Sequence, residues 1–235
     1  MKIAGVEKNS FVDYPEKIAA VVFTPGCNFD CYYCHNRHLL VPQALEKLIP
    51  PEEVFTFLKK RKGLLDAVVI TGGEPTLQDG LEGFIAAVKE LGYAVKLDTN
   101  GTNPKILERL LNKGLLDYVA MDIKAPLCKY EEICQGGFAL REIKISLDLL
   151  LGQNQVPYEF RTTCVPELTA GDILAIAGMI KGARLYALQQ YRLPERTILL
   201  DEPRLLQEPH SPSYLENIAA LLGALVQRCE TRGVR

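Results

Sequence analysis

The sequence predicts an α/β fold in which six βα units curl into a partial, TIM-like barrel. Two observations support this class: β-rich runs alternate with helical runs at short intervals, and charged residues recur on one face of several predicted strands. A βαβ series builds a parallel sheet with right-handed crossovers. The chain has 235 residues, 48% of them hydrophobic. This size and composition suit one core, so we expect a single domain over residues 1–235.

Six runs rich in apolar and β-branched residues predict the strands of this sheet. No linker, repeat or low-complexity tract separates the runs, so we expect all of them to join one sheet. In chain order they are Ile18 to Thr24, Ala67 to Thr71, Ala94 to Thr99, Tyr118 to Ile123, Tyr158 to Val165 and Arg184 to Arg192.

Helical periodicity fills the intervals between these strands. Asn103-Pro104 and Thr169-x-x-Asp172 predict helix starts, and Ser213-x-x-Glu216 predicts a capping box that opens a C-terminal amphipathic helix. The clearest apolar stripes are Leu81, Phe84, Ile85, Val88 and Leu91, then Leu140, Ile143, Leu147, Leu150 and Leu151, and last Leu215, Ile218, Leu222 and Val226.

Charged side chains recur near the C-terminal ends of three predicted strands, at every second position. Side chains alternate across a strand, so residues spaced by two share a face. Parallel strands flanked by helices normally bury apolar residues on both faces, so such charges indicate a polar, concave lumen. The alternative is that they lie in solvated loops just past the strands. The sets are Lys96 with Asp98, Asp122 with Lys124, and Glu159 with Arg161 and Thr163.

Three cysteines follow the first predicted strand with x3 and x2 spacing: Cys27, Cys31 and Cys34. Thiolates bind iron–sulfur clusters and zinc alike, so the number of ligands has to distinguish the two. A structural zinc site needs four ligands, but His35 lies too close to Cys34 to share its ion, and His38 is a solitary candidate. Three thiolates instead suit a cluster that keeps one iron open.

The other four cysteines are scattered and predict no second cluster; Cys128 and Cys134 are interpreted as loop or packing thiols. Seven cysteines without a targeting segment favour reduced thiols and a cytoplasmic location. The sequence has no apolar run long enough to span a membrane. A net charge of −2 gives no electrostatic basis for binding nucleic acid.

The run CNFDCYYC, with Tyr33 as the aromatic residue before the last cysteine, resembles the CxxxCxΦC signature of the radical S-adenosylmethionine superfamily. The longer run GCNFDCYYCHN is similar to the glycyl-radical-enzyme activating enzymes, and in particular to the anaerobic ribonucleoside-triphosphate reductase activating group. The likeness extends from Ser10 to Pro166. It implies an N-terminal hairpin, a 4Fe-4S cluster bound by the three cysteines, and S-adenosylmethionine as cofactor.

A second motif, Thr71-Gly72-Gly73-Glu74-Pro75, follows the second predicted strand. Glycines let the backbone approach a ligand closely, and a carboxylate beside exposed carbonyls suits an ammonium group. Taken alone, the motif is typical of a tight turn. Beside the cysteine motif it resembles the superfamily segment that holds the amino group of S-adenosylmethionine.

Two further segments and one arginine resemble cofactor contacts of the activating enzymes. They are Asp98-Thr99-Asn100-Gly101, Asp122-Ile123-Lys124 and Arg161. The resemblance implies that the lysine and the arginine contact the cofactor and that the aspartates lie close by. In some members such aspartates surround a monovalent cation, for which Asp98, Thr99 and Asp122 would supply oxygen ligands. Without the resemblance, Asp98 is an ordinary turn cap and Arg161 an ion-pair partner.

The implied reaction is one-electron cleavage of S-adenosylmethionine to methionine and a 5′-deoxyadenosyl radical. The implied substrate is a glycine of a large partner, anaerobic ribonucleotide reductase, with a flavodoxin- or ferredoxin-type electron donor. Two alternatives stay open: a radical enzyme acting on a small molecule such as a modified-nucleobase precursor, and a non-catalytic electron-transfer module. The proline-rich stretch Leu193 to Ser213 is interpreted as an irregular crossing, or alternatively as a lid or docking segment.

Overall fold

The computed structural model describes residues 1–41, 46–136, 139–192 and 202–234. Across these ranges the chain forms one eight-stranded sheet whose strands lie side by side in chain order. β1 pairs antiparallel with β2, and every later neighbour is parallel. The strands are β1 Gly5–Ser10, β2 Ala19–Thr24, β3 Ala67–Gly72, β4 Ala94–Thr99, β5 Tyr118–Asp122, β6 Tyr158–Cys164, β7 Tyr186–Gln190 and β8 Cys229–Arg232.

The sheet stays open, because within the described residues β1 and β8 each pair with a strand on one side and not with each other. This arrangement confirms the predicted partial barrel and its N-terminal hairpin. All six predicted strands are present, and the last is shortened from Arg184–Arg192 to Tyr186–Gln190. The parallel strand β8 was not predicted, because its sequence CETR has no apolar run and all four residues are half-buried.

Seven α-helices lie in the described ranges, and none of them is long and apolar enough to cross a membrane. The helix start predicted at Thr169 is confirmed, and it is a capping box, because the Thr169 hydroxyl accepts from the Asp172 amide and the Asp172 carboxylate accepts from the Thr169 amide. The helices are α1 Pro51–Lys60, α2 Leu81–Glu90, α3 Pro104–Asn112, α4 Tyr130–Cys134, α5 Leu140–Gly152, α6 Ala170–Met179 and α7 Pro212–Leu222.

The start predicted for the last helix is wrong. Ser211, not Ser213, is the N-cap of α7, and its hydroxyl accepts a hydrogen bond from the Tyr214 amide at 3.2 Å. Pro212 then occupies the first turn, where its fixed φ suits a helix and its missing N–H costs nothing. A proline at the first helical position was therefore a stronger boundary signal than the Ser-x-x-Glu pattern.

The lumen of the barrel carries charged side chains along β4, β5 and β6. Glu159 is the second residue of β6 and Lys96 is the third residue of β4, so the predicted position near the C-terminal strand ends is wrong for these two residues. Register places Asp98 beside Ala120, and Asp122 beside Arg161. Lys96 is 2% exposed and Glu159 is 1% exposed, so these charges lie inside the barrel and the solvated-loop alternative is wrong. Register places Val69 and Tyr118 beside Lys96. These two residues belong to an apolar cluster made of Tyr14, Ala19, Val21, Ala67, Val69 and Tyr118.

Candidate functional site

A cavity of about 360 Å³ opens at the carboxyl ends of the strands. This is the edge where parallel α/β sheets place their ligands, because the loops that follow the strands converge there. The cavity brings together every residue predicted for the site except Pro75, which is buried in the turn after β3. Its walls contain Cys27, Cys31, Tyr33, Cys34, Gly72, Gly73, Glu74, Asp98, Asn100, Asp122, Lys124 and Arg161.

The three cysteines lie in the loop after β2, here called the cysteine loop and comprising residues 25–36. The Cys34 amide donates to the Cys31 carbonyl at 3.0 Å, which winds the loop into a tight turn. Burial raises the pKa of Cys27 to about 12 and also raises the pKa of Cys34. These thiols therefore need bound cations to hold them as thiolates.

Among the described residues, no group of three or more His, Cys, Asp or Glu side chains converges on the position of a single metal ion. The three cysteines do line one cavity with an open side. A cluster of four irons spreads its thiolate ligands around a cube, so its ligands do not meet at one point. The donor set of three thiols around a shared space fits such a cluster.

The glycines of the second motif bring the turn after β3 into backbone contact with the cysteine loop. The Glu74 amide donates to the Gly26 carbonyl at 2.8 Å, and the Gly73 amide donates to the Thr24 carbonyl at 2.8 Å. A Cβ added to Gly73 would lie 1.8 Å from the Gly26 carbonyl oxygen. A glycine is therefore required at position 73 because the backbone of Gly26 lies so close to it, and not because a ligand does.

Glu74 is 1% exposed, and its carboxylate joins the turn after β3 to the turn after β4. One oxygen accepts from the Thr76 amide at 3.0 Å and from the Thr99 hydroxyl at 2.8 Å, besides the Thr76 hydroxyl. The other oxygen accepts from the Asn100 amide at 2.6 Å. This second oxygen keeps acceptor capacity on the cavity wall, since a carboxylate oxygen has two lone pairs.

Asn100 links this carboxylate to the cysteine loop. Its side-chain amide donates to the Asn28 side-chain oxygen at 3.0 Å and lies 3.8 Å from the Cys27 sulfur. Asn28 in turn donates to the Thr102 hydroxyl at 3.0 Å. The first two predicted motifs and the Asp-Thr-Asn-Gly segment are therefore one hydrogen-bonded unit around Cys27.

The charged part of the lumen is a network centred on Arg161. Its guanidinium contacts Asp122 at 2.7 Å and Asp98 at 3.4 Å. Lys96 pairs with Asp98 at 2.6 Å, and Lys124 pairs with Asp122 at 2.9 Å. Each aspartate therefore meets two cations, which orders the side chains of three neighbouring strands around the cavity.

Electrostatics within this network keep Asp122 and Lys124 ionised although they are buried. Burial acts to raise the pKa of Asp122, but Arg161 and Lys124 outweigh it and hold this pKa below its usual value. Burial acts to lower the pKa of Lys124, but Asp122 outweighs it and raises this pKa. Asp122 and Lys124 therefore stay charged across the ordinary pH range, and neither is poised to exchange a proton.

Tyr33 packs edge-on against Tyr32, with ring centroids 5.2 Å apart, and its ring lies on the cavity wall. Its hydroxyl is buried and has no hydrogen-bond partner among the described residues. A buried hydroxyl without a partner costs on the order of 1–3 kcal/mol.

Sequence reasoning missed a second support of the cysteine loop, the segment Leu127 to Gly136, which contains α4. Phe29 forms an antiparallel bridge with Gly136, and the Asp30 amide donates to the Cys134 carbonyl at 3.0 Å. The Tyr130 hydroxyl accepts from the Lys124 amide at 3.1 Å. No spacing rule links positions so far apart, so the sequence held no signal for this contact.

The stretch from Leu193 to Ser213 is described from residue 202 onward, and its first part lies outside the described residues. In the described part, Arg204 lies over the Tyr32 ring at 4.1 Å from its centroid and donates to the Glu132 carbonyl at 2.9 Å. The short 3-10 turn Pro203–Leu206 therefore packs on the cysteine loop and on α4.

A second cavity of about 760 Å³ continues the first and shares Asp13, His35 and Arg161 with it. Its walls come from both free edges of the sheet: the hairpin loop between β1 and β2 contributes Val12, and β8 contributes Arg232. The second cavity therefore lies in the side opening of the barrel, next to the space that the cysteine loop lines.

The open parallel barrel and the three cysteines in the wall of its cavity fit the class of enzymes that bind an iron–sulfur cluster. Residues 21–180 match the model of the Radical SAM superfamily, and the chain belongs to that superfamily. Enzymes of this superfamily use a 4Fe-4S cluster and S-adenosylmethionine. The predicted superfamily, its cluster and its cofactor are therefore confirmed at the level of the family.

Three known proteins are similar to this chain. A protein of Methanocaldococcus jannaschii, provisionally named a glycyl-radical enzyme activating enzyme, is 40% identical over 80% of this chain and 79% of its own. A protein of Halobacterium salinarum, provisionally named GTP 3′,8-cyclase, is 34% identical over 63% of this chain and 44% of its own. Streptococcus suis SuiB, solved with S-adenosylmethionine, has a similar fold, with TM-score 0.66, 14% identity and coverage of 91% and 52%.

Proposed function

We propose that this chain is an activating enzyme that generates a glycyl radical on a partner protein, with anaerobic ribonucleoside-triphosphate reductase as the partner. The observation that carries the proposal is the continuity of two cavities. The cavity beside the three cysteines leads directly into one that opens between β8 and the β1–β2 hairpin. A loop of a large protein can enter such a side opening, and the M. jannaschii relative supports this substrate class.

In this proposal Cys27, Cys31 and Cys34 hold the 4Fe-4S cluster. The cofactor lies between the turn Gly72 to Pro75 and the charged network, where Glu74 keeps acceptor capacity for an ammonium group. Cluster and cofactor together supply one-electron cleavage of a carbon–sulfur bond. The chain itself positions the reactants and excludes water from the cavity.

The other residues predicted to contact the cofactor fall into cationic groups, neutral hydrogen-bonding groups and oxygen ligands for a cation. Lys124 and Arg161 present cationic groups to the carboxylate end of the cofactor, Asn100 offers a neutral hydrogen bond, and Tyr33 contributes to the cavity wall. Asp98, Thr99 and Asp122 form the proposed oxygen site for a monovalent cation. That site competes with Lys96, Arg161 and Lys124, which already pair with the two aspartates. A monovalent cation is therefore the weakest binder among the proposed ligands.

Charge pairing in the lumen favours a peptide substrate over a polyphosphate. Arg161 and Lys124 pair with Asp122, and Arg232 pairs with Glu159 at 2.6 Å. A triphosphate carries several negative charges and needs more cationic groups than these paired side chains leave free, whereas the single carboxylate of the cofactor can use the remaining N–H donors of Lys124 and Arg161. The backbone of a peptide loop is uncharged and makes no such demand.

Direct electron paramagnetic resonance spectroscopy of the partner tests this proposal. The anaerobically reconstituted, dithionite-reduced protein is mixed with S-adenosylmethionine and an anaerobic ribonucleotide reductase. We expect methionine, 5′-deoxyadenosine and a doublet electron paramagnetic resonance signal from a glycine-centred radical. A reductase whose radical glycine is replaced by alanine is the matched control and should give no doublet. A flavodoxin or ferredoxin, the proposed physiological donor, should replace dithionite.

The second candidate is a radical enzyme acting on a small molecule, and the relative named for GTP cyclisation favours it. Under this candidate, deoxyadenosine would form with a nucleotide or nucleobase precursor and no doublet would appear on any reductase tested. Absence of cleavage, with an intact and reduced cluster, would contradict both candidates and leave an electron-transfer module.

A further inference from the structure

The strand β8 has a free backbone edge at the side opening of the barrel. Within the described ranges β8 pairs, in parallel, with β7 alone. The register places Thr231 beside Leu188 and Arg232 beside Gln189. An edge strand leaves a row of amide and carbonyl groups without a partner in its sheet. Another extended chain can therefore add to β8 as a further strand.

The direction of each backbone group in β8 follows from its ladder with β7. In a parallel ladder, the amide and carbonyl of one residue face the same neighbouring strand, and the next residue faces the opposite way. The Tyr186 amide of β7 donates to the Arg228 carbonyl at 2.9 Å, so Arg228 faces β7. By this alternation Glu230 also faces β7, whereas Cys229 and Thr231 face the free edge. No backbone partner for Thr231 on that side lies in the described part of the chain.

The other free edge of the sheet, on β1, is a poorer template. Its ladder with β2 changes register between Glu7 and Ser10, and Glu7 and Lys8 are exposed. Irregular pairing and exposed charges blunt an edge against added strands. In β8 the charged Glu230 and Arg232 line the second cavity and pair with each other at 2.6 Å. A strand added to β8 therefore leaves these charges paired.

The C-terminal end of β8 lies at the level where the two cavities meet. Gln189, which is in register with Arg232, lines both cavities, and so does Arg161 on β6. A chain that runs along β8 and continues past this level enters the cavity lined by the three cysteines. The edge of β8 therefore leads from the side opening to the proposed place of the cofactor.

We propose that the partner segment carrying the target glycine adds to the free edge of β8 as an extended strand, hydrogen-bonded to the backbone amide and carbonyl of Thr231. The inference rests on the proposed function and specifies how the substrate of that function binds. Strand addition draws its affinity from main-chain hydrogen bonds. Main-chain recognition suits a glycine, because glycine has no side chain to be recognised.

Two substitutions at one position separate the backbone from the side chain. Thr231→Pro removes the amide N–H at the free edge, and edge strands tolerate proline where the N–H faces away from the sheet. The hydrogen bonds to β7 should persist, because they use Glu230 and Arg232. Thr231→Ala is the matched control, since it changes the side chain and keeps the N–H. The readouts are iron content, cleavage of S-adenosylmethionine without partner, and the reductase concentration that gives half-maximal glycyl radical.

We expect Thr231→Pro to need about tenfold more anaerobic ribonucleotide reductase for half-maximal radical, as loss of one main-chain hydrogen bond would cause. Its iron content and its partner-free cleavage should equal those of the wild type. Thr231→Ala should need the same reductase concentration as the wild type. An unchanged concentration in Thr231→Pro, or an equal increase in Thr231→Ala, would overturn the proposal.

Hydrogen exchange of the wild-type, reconstituted protein gives a second measurement that does not depend on the folding of a variant. Saturating reductase should slow exchange about tenfold or more at the amides of Cys229 and Thr231, which it would cover. S-adenosylmethionine alone should leave that exchange unchanged. Unprotected amides in the presence of saturating reductase would contradict strand addition.

The two measurements also distinguish this proposal from the proposed function. If the wild type produces a glycyl radical while the β8 amides stay unprotected, the activating function stands and the docking on β8 alone is refuted. If the wild type neither binds a reductase nor produces a radical on one, the proposed function is wrong and strand addition by that partner is refuted with it.

Discussion

The cysteine loop and the charged lumen line the same cavity but are built by different physical means. The loop is held by close backbone approach, as at Gly73 and Gly136, and by neutral hydrogen bonds such as that from Asn100 to Asn28. The lumen is held by ion pairs that converge on Arg161. A change in the loop should therefore alter what the site holds, and a change in the lumen should alter how a bound group is oriented.

The largest expected effect is the loss of iron and sulfide when a thiol of the cysteine loop is removed. Changing Cys27, Cys31 or Cys34 to Ala removes one of three proposed ligands, so each variant should lose most of its iron and sulfide after anaerobic reconstitution. Cys128→Ala, Cys164→Ala and Cys229→Ala should keep the wild-type content. Chemical iron and sulfide assays with the absorbance spectrum measure this. A full complement of iron in the triple variant would contradict the ligand assignment.

Gly73→Ala tests whether backbone approach holds the loop. The added Cβ would lie 1.8 Å from the Gly26 carbonyl oxygen and 3.2 Å from the Cys27 amide nitrogen, so the loop must move. Such overpacking costs on the order of 1–3 kcal/mol or more. We expect reduced stability in urea unfolding together with reduced iron binding.

The matched control for this substitution is Gly83→Ala, because a Cβ at Gly83 in α2 meets no atom within 4 Å. That variant should be as stable as the wild type or more stable, since alanine favours a helix. If Gly73→Ala bound a full cluster and lost affinity for S-adenosylmethionine alone, the glycine would serve the cofactor and not the loop.

Arg161→Met tests the lumen. The substitution keeps much of the side-chain volume but leaves Asp98 and Asp122 each with one cation fewer, and removing one partner of a buried pair costs about 3–5 kcal/mol. We expect lower stability and weaker binding of S-adenosylmethionine by calorimetry, with iron content unchanged. Arg109→Met removes an exposed pair with Glu82 and should change neither quantity. Loss of iron in Arg161→Met would show that the two regions are not separable.

The smallest expected effect is a loss of stability when an ion pair at the edge of the lumen is removed. Arg232 joins β8 to the buried Glu159 at 2.6 Å, and Arg232→Met should cost on the order of 1–3 kcal/mol because that carboxylate loses its bidentate donor. Arg228→Met, which removes an exposed side chain, is the control. Thermal unfolding measures both. Equal midpoints in the two variants would mean that the ion pair does not secure β8.

Local patterns account for most of what was predicted correctly. Alternation of side chains placed Lys96 with Asp98 and Glu159 with Arg161 on the lumen face, because a strand repeats every two residues wherever it lies. The six apolar strands and the Thr169 capping box follow from equally local rules. The strand β8 was not predicted because its sequence CETR lacks an apolar pattern. The start of α7 was placed wrongly because the Ser213-x-x-Glu216 pattern was given more weight than the proline at Pro212.

The sequence by itself determined the class of the protein: the spacing of Cys27, Cys31 and Cys34, the glycine turn after β3 and the charged strand faces are all readable along the chain. The tertiary structure alone decided which groups meet. It joined Arg161 to both Asp98 and Asp122, paired Phe29 of the cysteine loop with Gly136, and set β8 at the side opening. Such contacts depend on sheet register and loop packing between distant segments, and no local propensity encodes either of them.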